Sequence, residues 1–168
     1  MNAAKKVLFV DDDIEFQGLL APHLSNSLNA KVISVSHPYE AIERLAERRF
    51  DLILLDWKMP ALRGDAALKN FEKLMMGESF IPSKWFQEKI PVIIVSAESA
   101  SRVRTIETQF FKQIGFVSKK QNASQLLNEI KKLTEAAWKE SIHTEERPPE
   151  DRTSSNVSSS QASSSQHF

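Results

Sequence analysis

The sequence predicts an α/β protein in which a parallel sheet lies between two layers of helices. Three short apolar runs, at residues 7–10, 52–55 and 92–95, consist of Val, Ile, Leu and Phe without alternating polar residues. Such uninterrupted runs are typical of strands that are covered on both faces. Helical patterns separate the runs, and this alternation implies parallel strands joined by right-handed crossovers.

Taken in order along the chain, the patterns predict five strands and five helices. Two weaker strand candidates, at residues 31–35 and 115–118, join the three apolar runs. The helical patterns cover residues 14–28, 38–49, 64–76, 100–113 and 122–138. Pro38 suits the first position of the second helix, with Ser36 or His37 as its cap, and Asn122 caps the fifth. We therefore expect a (βα)5 three-layer sandwich with the flavodoxin-like strand order 2-1-3-4-5.

The 168 residues are predicted to form one domain, since domains usually contain about 100–150 residues. We assign residues 1–141 to this domain and interpret residues 77–89 as an insertion whose aromatic side chains pack back on the body. Residues 142–168 are a polar, serine-rich tail that we expect to be disordered, because they cannot build a core. Too few residues follow the last helix for an effector domain, so we expect output through a protein partner.

Charge and composition exclude several classes of protein. The chain carries 22 basic and 22 acidic residues, so its net charge of zero offers no basic surface for nucleic acid. It has no cysteine, which excludes disulfides and thiolate metal sites. No apolar stretch approaches the ~20 residues of a membrane span, and the N-terminal run is too short for a signal peptide. We expect a cytoplasmic protein.

Polar side chains follow four of the predicted strands at the point where each strand ends. Asp11 and Asp12 follow the first strand, Asp56 the third, and Ser96 and Lys119 the fourth and fifth. In a parallel sheet these ends meet at one edge, where ligands bind in open α/β proteins. Three crowded carboxylates repel one another, and a hard cation such as Mg²⁺ would offset that repulsion. A carboxylate nucleophile, a metal, a lysine and a hydroxyl are the groups that phosphoryl transfer needs.

The same stretches resemble the receiver domains of bacterial response regulators. The matching segments, in chain order, are VLFVDDD at 7–13, FDLILLDWKMP at 50–60, RG at 63–64, VSAE at 95–98 and GFVSK at 115–119. The run that ends in Asp-Trp-Lys-Met-Pro is the most specific of them. The resemblance extends over roughly residues 5–138.

The resemblance implies a phosphorylation site and its metal. Asp56 would accept a phosphoryl group from a histidine kinase or a histidine phosphotransfer protein. Asp11 and Asp12 would organise Mg²⁺, with Asp12, Asp56 and the backbone carbonyl of Lys58 as direct ligands. The product would be a switch that acts on a downstream protein target, with self-catalysed phosphorylation and dephosphorylation, rather than a conventional enzyme. Homodimerisation stays open.

Three further positions correspond to the family pattern and one departs from it. Ser96 would bond a phosphoryl oxygen, Lys119 would pair with the phosphate, and Phe116 stands at the aromatic position that moves inward on activation. Family members usually have proline after the lysine, whereas Lys120 stands here. Because a cis bond without proline costs about 3–4 kcal/mol, we expect a trans link or local strain.

Two other functions compete with the phospho-accepting switch. A haloacid-dehalogenase-type phosphatase would use Asp11 as nucleophile and Asp13 as its partner acid. That motif has Thr or Val at the position where Glu15 stands here, and it gives Asp56 no role. A receiver-like docking module that never needs phosphorylation is the second alternative, supported by the Lys120 departure. Replacing Asp56 distinguishes the switch from the phosphatase.

Overall fold

The computed structural model describes residues 4–60, 62–77 and 88–145, with backbone only for 142–145. Most of the predicted insertion, and the predicted tail beyond residue 145, fall outside these ranges. The strands are β1 (Lys5–Val10), β2 (Ala30–Val35), β3 (Leu52–Asp56), β4 (Ile90–Ser96) and β5 (Phe111–Ser118). The helices are α1 (Ile14–Leu28), α2 (Pro38–Glu47), α3 (Gly64–Met75) and α4 (Ala123–Glu145). A 3₁₀ turn covers Ala100–Arg102. None of the helices in the described part of the chain is both long and apolar enough to span a bilayer.

All five strands are parallel, in the order β2-β1-β3-β4-β5, which confirms the predicted topology. The register aligns Val10 of β1 with Leu55 of β3, and Asp56 with Val95 of β4. Because neighbouring strands end at the same level, the residues that follow them share one edge of the sheet. The topological switch point lies between β1 and β3, where the strand order changes direction.

Alternate side chains of the central strands enter two separate cores. On one face, Leu8, Ile53 and Ile94 pack with residues of α2 and α3. On the other face, Phe9 and Leu54 pack with residues of α1 and α4. Both sets are fully buried, which explains why these strands carry apolar residues at successive positions instead of alternating with polar ones.

Helix starts follow the predicted capping chemistry. The His37 ring accepts a hydrogen bond from Tyr39 N at the start of α2, where Pro38 takes the first helical position. The Asn122 side chain accepts one from Gln125 N at 2.9 Å at the start of α4. These side chains satisfy backbone N–H groups that have no partner inside the helix.

The helix predicted at residues 100–113 is wrong. After the 3₁₀ turn the chain runs extended and forms an antiparallel bridge between Glu107 and Lys112. Gln113 N donates to Ile106 O at 3.0 Å, and Thr108 N donates to Phe111 O at 2.9 Å. These bonds make residues 106–113 a tight hairpin whose second arm continues into β5. The fold therefore has four described helices instead of five.

The hairpin forms because β-branched and aromatic residues dominate this segment. Val103, Ile106 and Phe110 have helical spacing, which produced the wrong prediction, but branched and aromatic side chains favour strands. Phe111 is completely buried at the start of β5, and the adjacent Phe110 is only partly buried. Burial of Phe111 beside Phe71 of α3 stabilises the extended conformation over the helical one.

Candidate functional site

Three carboxylates converge at the carboxyl edge of the sheet, at the switch point between β1 and β3. Oxygen atoms of Asp11, Asp12 and Asp56 all lie within 4.8 Å of one another. Asp11 and Asp56 are buried, whereas Asp12 is exposed. Asp13 stands apart from this group and caps α1 by accepting a hydrogen bond from Phe16 N at 2.9 Å. Of the three consecutive aspartates, Asp11 and Asp12 therefore join the cluster with Asp56, and Asp13 caps the helix.

Lys119 supplies the positive charge of the cluster. Its Nζ lies 2.7 Å from Asp11 Oδ2 and 3.4 Å from Asp56 Oδ2. The side chain is 15% exposed, and Nζ also lies 4.7 Å from the centre of the Phe16 ring. Its backbone N–H donates to Ser96 O at 2.9 Å, which ties the end of β5 to the end of β4. Lys119 is thus held between the two buried acids.

Burial dominates the acidity of both inner carboxyl groups. Desolvation raises the pKa of Asp56 to about 6, with the Lys119 charge opposing the rise and the Asp11 charge adding to it. Burial also raises the pKa of Asp11, against the hydrogen bonds that it receives from Lys119 and from Asp13 N. Both inner carboxyl groups therefore ionise less readily than exposed ones, and a cation between them would favour their ionised form.

Ser96 and Lys58 line a pocket beside Asp56. Asp56, Ser96, Lys58, Glu98 and Lys119 line a cavity of about 270 Å³. Lys58 N donates to Asp56 Oδ1 at 3.3 Å, so the Lys58 backbone lies beside this carboxylate. Ser96 Oγ accepts from Glu98 N at 3.1 Å, which leaves the hydroxyl proton free to donate. The five predicted site residues therefore meet in one place, with the Lys58 backbone next to them.

The acid cluster suits a hard divalent cation. Its ligand atoms are all oxygens, two of the three acids are buried, and the three groups are close enough to share one ion. Mg²⁺ is usually held by one or two carboxylates together with waters and phosphate oxygens. Burial of the acids also leaves them undercompensated by Lys119 alone. The residues present fit magnesium.

The family profile of the response regulator receiver domain matches residues 7–131. The chain belongs to this family. A 75-residue stretch is 35% identical to protein-glutamate methylesterase/protein-glutamine glutaminase 2 of Vibrio vulnificus. That stretch is 44% of this chain and 22% of the relative. Because the matched stretch spans only about a fifth of that protein, the activities in the relative's name describe the relative.

Solved structures show the same fold. The chemotaxis response regulator CheY4 of Vibrio cholerae is 22% identical, with a TM-score of 0.56 over 78% of this chain and 99% of that one. A CheY-like receiver domain protein of Methanospirillum hungatei is 22% identical, with a TM-score of 0.57 over 82% and 99%. TrrA of Thermotoga maritima, solved with Mg(2+)-BeF, is 23% identical, with a TM-score of 0.55 over 77% and 98%.

This receiver domain replaces the usual proline after the site lysine with a hydrogen-bonded turn. Lys120 N donates to Ser118 Oγ at 3.2 Å, a bond that proline could not make because it lacks an N–H. Lys120 is exposed, while Lys119 points at the acids. The departure from the family pattern thus leaves the Lys119 ammonium in contact with both buried carboxylates.

The start of α3 approaches the end of β3 closely because residue 64 is glycine. A Cβ at Gly64 would lie 3.1 Å from the Asp56 carbonyl oxygen and 3.2 Å from the Trp57 ring. Gly64 N donates to Trp57 O at 2.9 Å, which fixes the start of α3 against the end of β3. Phe116 on β5 is half-buried and packs against the core on the α2–α3 face.

Gln17 supports the site and was missed by the sequence reasoning. Its Nε2 donates to Phe9 O at 2.9 Å and to Val35 O at 2.8 Å, and the side chain is only 5% exposed. Val35 O also accepts from Asp11 N, so the amide helps to hold the segment that carries Asp11. A signal existed, because Gln17 stands one helical turn before Leu20 in the buried stripe of α1. A polar residue inside an apolar stripe indicates buried hydrogen-bond partners.

Replacing Gln17 with methionine is expected to destabilise the receiver domain by about 1–3 kcal/mol, since two buried carbonyls lose a donor while the volume is kept. Urea unfolding measures the loss, and Mg²⁺ titration should show weaker binding because the Asp11 segment loosens. Gln125→Met, at an exposed position of α4, is the matched control and should leave both unchanged. Equal stability of the two variants would contradict the assigned role of Gln17.

Proposed function

We propose that this chain is the phospho-accepting receiver of a two-component phosphorelay, with Asp56 as the acceptor. One observation carries the proposal: Asp11, Asp12 and Asp56 converge within 4.8 Å, with Lys119 Nζ 3.4 Å from Asp56. A purely structural acid pair would not need three carboxylates at the switch point of the sheet. The membership of the receiver family supports the same assignment.

Asp56 would act as the nucleophile toward a phosphohistidine on the donor protein. A carboxylate oxygen forms a bond to phosphorus while the bond from phosphorus to the donor's imidazole nitrogen breaks. The imidazole leaves and takes up a proton. Asp56 must be ionised to attack, and its pKa of about 6 leaves the carboxylate mostly ionised near pH 7. Lys119 is placed to pair with the added phosphoryl oxygens.

The bound metal would be held by Asp12, Asp56 and the Lys58 carbonyl, with Asp11 in support. Mg²⁺ would supply the positive charge that brings an anionic phosphoryl group to an anionic carboxylate. Ser96 is placed to donate its free hydroxyl proton to a phosphoryl oxygen. Ser96 at the end of β4 pairs with Ser118 of β5, and half-buried Phe116 lies two residues before Ser118. A shift of Ser96 would therefore reach Phe116 through β5.

The proposed donor is a protein, because an apolar surface leads to the acceptor. A groove of about 390 Å³ lies between α1 and α4, and Lys119 lines both this groove and the acceptor pocket. Leu19, which lines this groove, is 62% exposed, and Ile14 at the start of α1 is 70% exposed. A histidine kinase or histidine phosphotransfer protein would cover these side chains. The downstream protein target would respond to the phosphorylated state.

Intact-protein mass after incubation with Mg²⁺ and acetyl phosphate tests the acceptor. We expect one added phosphoryl group on the wild type and none on Asp56→Asn. Asp13→Asn is the matched control, since Asp13 is an exposed helix cap next to the cluster, and it should still be phosphorylated. The readout needs no knowledge of the natural donor.

The other outcomes identify the alternatives. A wild type that binds Mg²⁺ but stays unmodified would contradict the switch and favour the docking module. A phosphoryl group that persists on Asp56→Asn would point to Asp11 and to the phosphatase.

A further inference from the structure

A second groove opens beside the acid cluster, on the side of the turn that follows β4. It has a volume of about 540 Å³ and lies between the loop after β3 and the 3₁₀ turn. Trp57, Met59 and Pro60 supply its apolar lining, and of these Trp57 and Met59 are largely buried, at 4% and 5% exposed. Asp56 does not line this groove, although Lys58 and Glu98 line both the groove and the acceptor pocket.

Three exposed cations surround the apolar lining. The side chains of Lys58 and Arg102 are each 76% exposed, and that of Arg63 is 61% exposed. Arg63 also lies 5.6 Å from the centre of the Trp57 ring and pairs with Asp65 at 2.6 Å. Exposed cations beside apolar lining residues give a ligand that carries both carboxylates and an apolar side chain partners of both kinds.

One carboxylate serves two of these cations. Glu98 lies 3.6 Å from Lys58 Nζ through one oxygen and 3.4 Å from Arg102 through the other. Glu98 is 25% exposed, so it is more fixed than the cations that it holds. A single negative charge leaves the pair with an excess of positive charge. Glu98 would therefore compete with any anionic group that enters the groove.

We propose that this groove binds an acidic peptide segment of a protein partner, with an apolar side chain over Trp57 and Met59 and carboxylates beside Lys58 and Arg102. Charge complementarity to the exposed cations favours an acidic segment, and the apolar lining favours one anchored by an apolar residue. Asp12 and Glu98 also line the groove, so its three cations exceed its two acids by one positive charge. Binding requires no phosphorylation, because Lys58 and Arg102 are already exposed in the unmodified chain.

Because Glu98 competes for the cations, two substitutions should change peptide binding in opposite directions. The probe is a fluorescein-labelled peptide, Glu-Asp-Leu-Asp-Glu, titrated into the full chain without phosphodonor and followed by fluorescence anisotropy. Arg102→Glu should weaken binding about tenfold, because it replaces an attraction with a repulsion. Glu98→Gln should tighten binding about threefold, because it frees both cations. Binding should also weaken as salt is raised.

Matched controls separate the groove from general charge. Arg104→Glu makes the same charge change two residues from Arg102, at an exposed position that does not line the groove, and should leave binding unchanged. A peptide with Ser in place of Leu should bind about tenfold more weakly, since the apolar anchor is lost. Equal weakening by Arg102→Glu and Arg104→Glu, no gain from Glu98→Gln, or no binding of the leucine peptide would each overturn the proposal. None of these results depends on whether Asp56 accepts a phosphoryl group.

Discussion

Asp56→Asn is expected to make the unmodified protein more stable at pH 7, by up to about 3 kcal/mol, although it removes the acceptor. The pKa of Asp56 rises from 3.8 to about 6 on folding, chiefly through burial, and each unit corresponds to ~1.4 kcal/mol. A carboxyl with a raised pKa in the folded state costs no stability below the unfolded pKa. It costs progressively more as the pH rises from about 4 to about 6, where folding must bury a charge.

The difference between wild type and Asp56→Asn in urea unfolding measures this effect across pH. We expect the two to have similar stability near pH 4 and to diverge up to about pH 6–7, with the variant more stable. Mg²⁺ should recover much of the difference at pH 7, because it binds the folded wild type and stabilises it. A variant that is less stable than the wild type at pH 7 without metal would show that Asp56 contributes more through Lys119 than burial takes away.

Phe111→Ala is expected to lower the free energy of unfolding by about 3–5 kcal/mol, which is the cost of emptying a fully buried phenylalanine site. The hairpin after the 3₁₀ turn places the Phe111 side chain in the core. Phe110→Ala, at the adjacent and only partly buried position, should cost clearly less. A larger loss for Phe110 than for Phe111 would mean that this segment turns the other side chain inward and would contradict the hairpin.

A double-mutant cycle tests the contact that Phe111 makes. Its ring meets Phe71 edge-to-face, with centroids 6.4 Å apart and an interplanar angle of 69°. We expect a coupling of about 0.5–1.5 kcal/mol between the two positions, beyond the area that each buries. Coupling between Phe71 and Phe110 should be weaker. Additive losses for Phe71 and Phe111 would place the rings apart and remove the contact proposed to hold the hairpin.

The parallel sheet was predictable because its central strands are buried on both faces. Each run contains four adjacent apolar residues, with Leu8 and Phe9 in the first and Ile53 and Leu54 in the second. Burial of a strand on both faces explains such a run better than any other arrangement in a chain of this size. The hairpin was not predictable from periodicity. Its branched and aromatic residues also fit a helical spacing, and only the burial of Phe111 against α3 decides between the two conformations.

The acid cluster could be predicted from the residues that follow the strands, but the residues that support the cluster could not. Asp11, Asp56 and Lys119 each follow a recognisable strand, and parallel strands bring their ends together. Gln17 acts through two backbone carbonyls, which carry no side-chain signature in a sequence. Glu98 pairs with cations from two different loops, so its role depends on loop conformations that strand patterns do not fix.

The core between α1 and α4 has a consequence for how the chain folds as it is synthesised. Phe9 and Leu54 pack on this face together with Leu126 and Ile130 of α4. A ribosome adds about 5–20 residues per second, so both strands emerge seconds before the helix that covers them. The nascent chain therefore carries a half-covered sheet until α4 follows. Chaperones that bind exposed apolar strands would act on it during that interval.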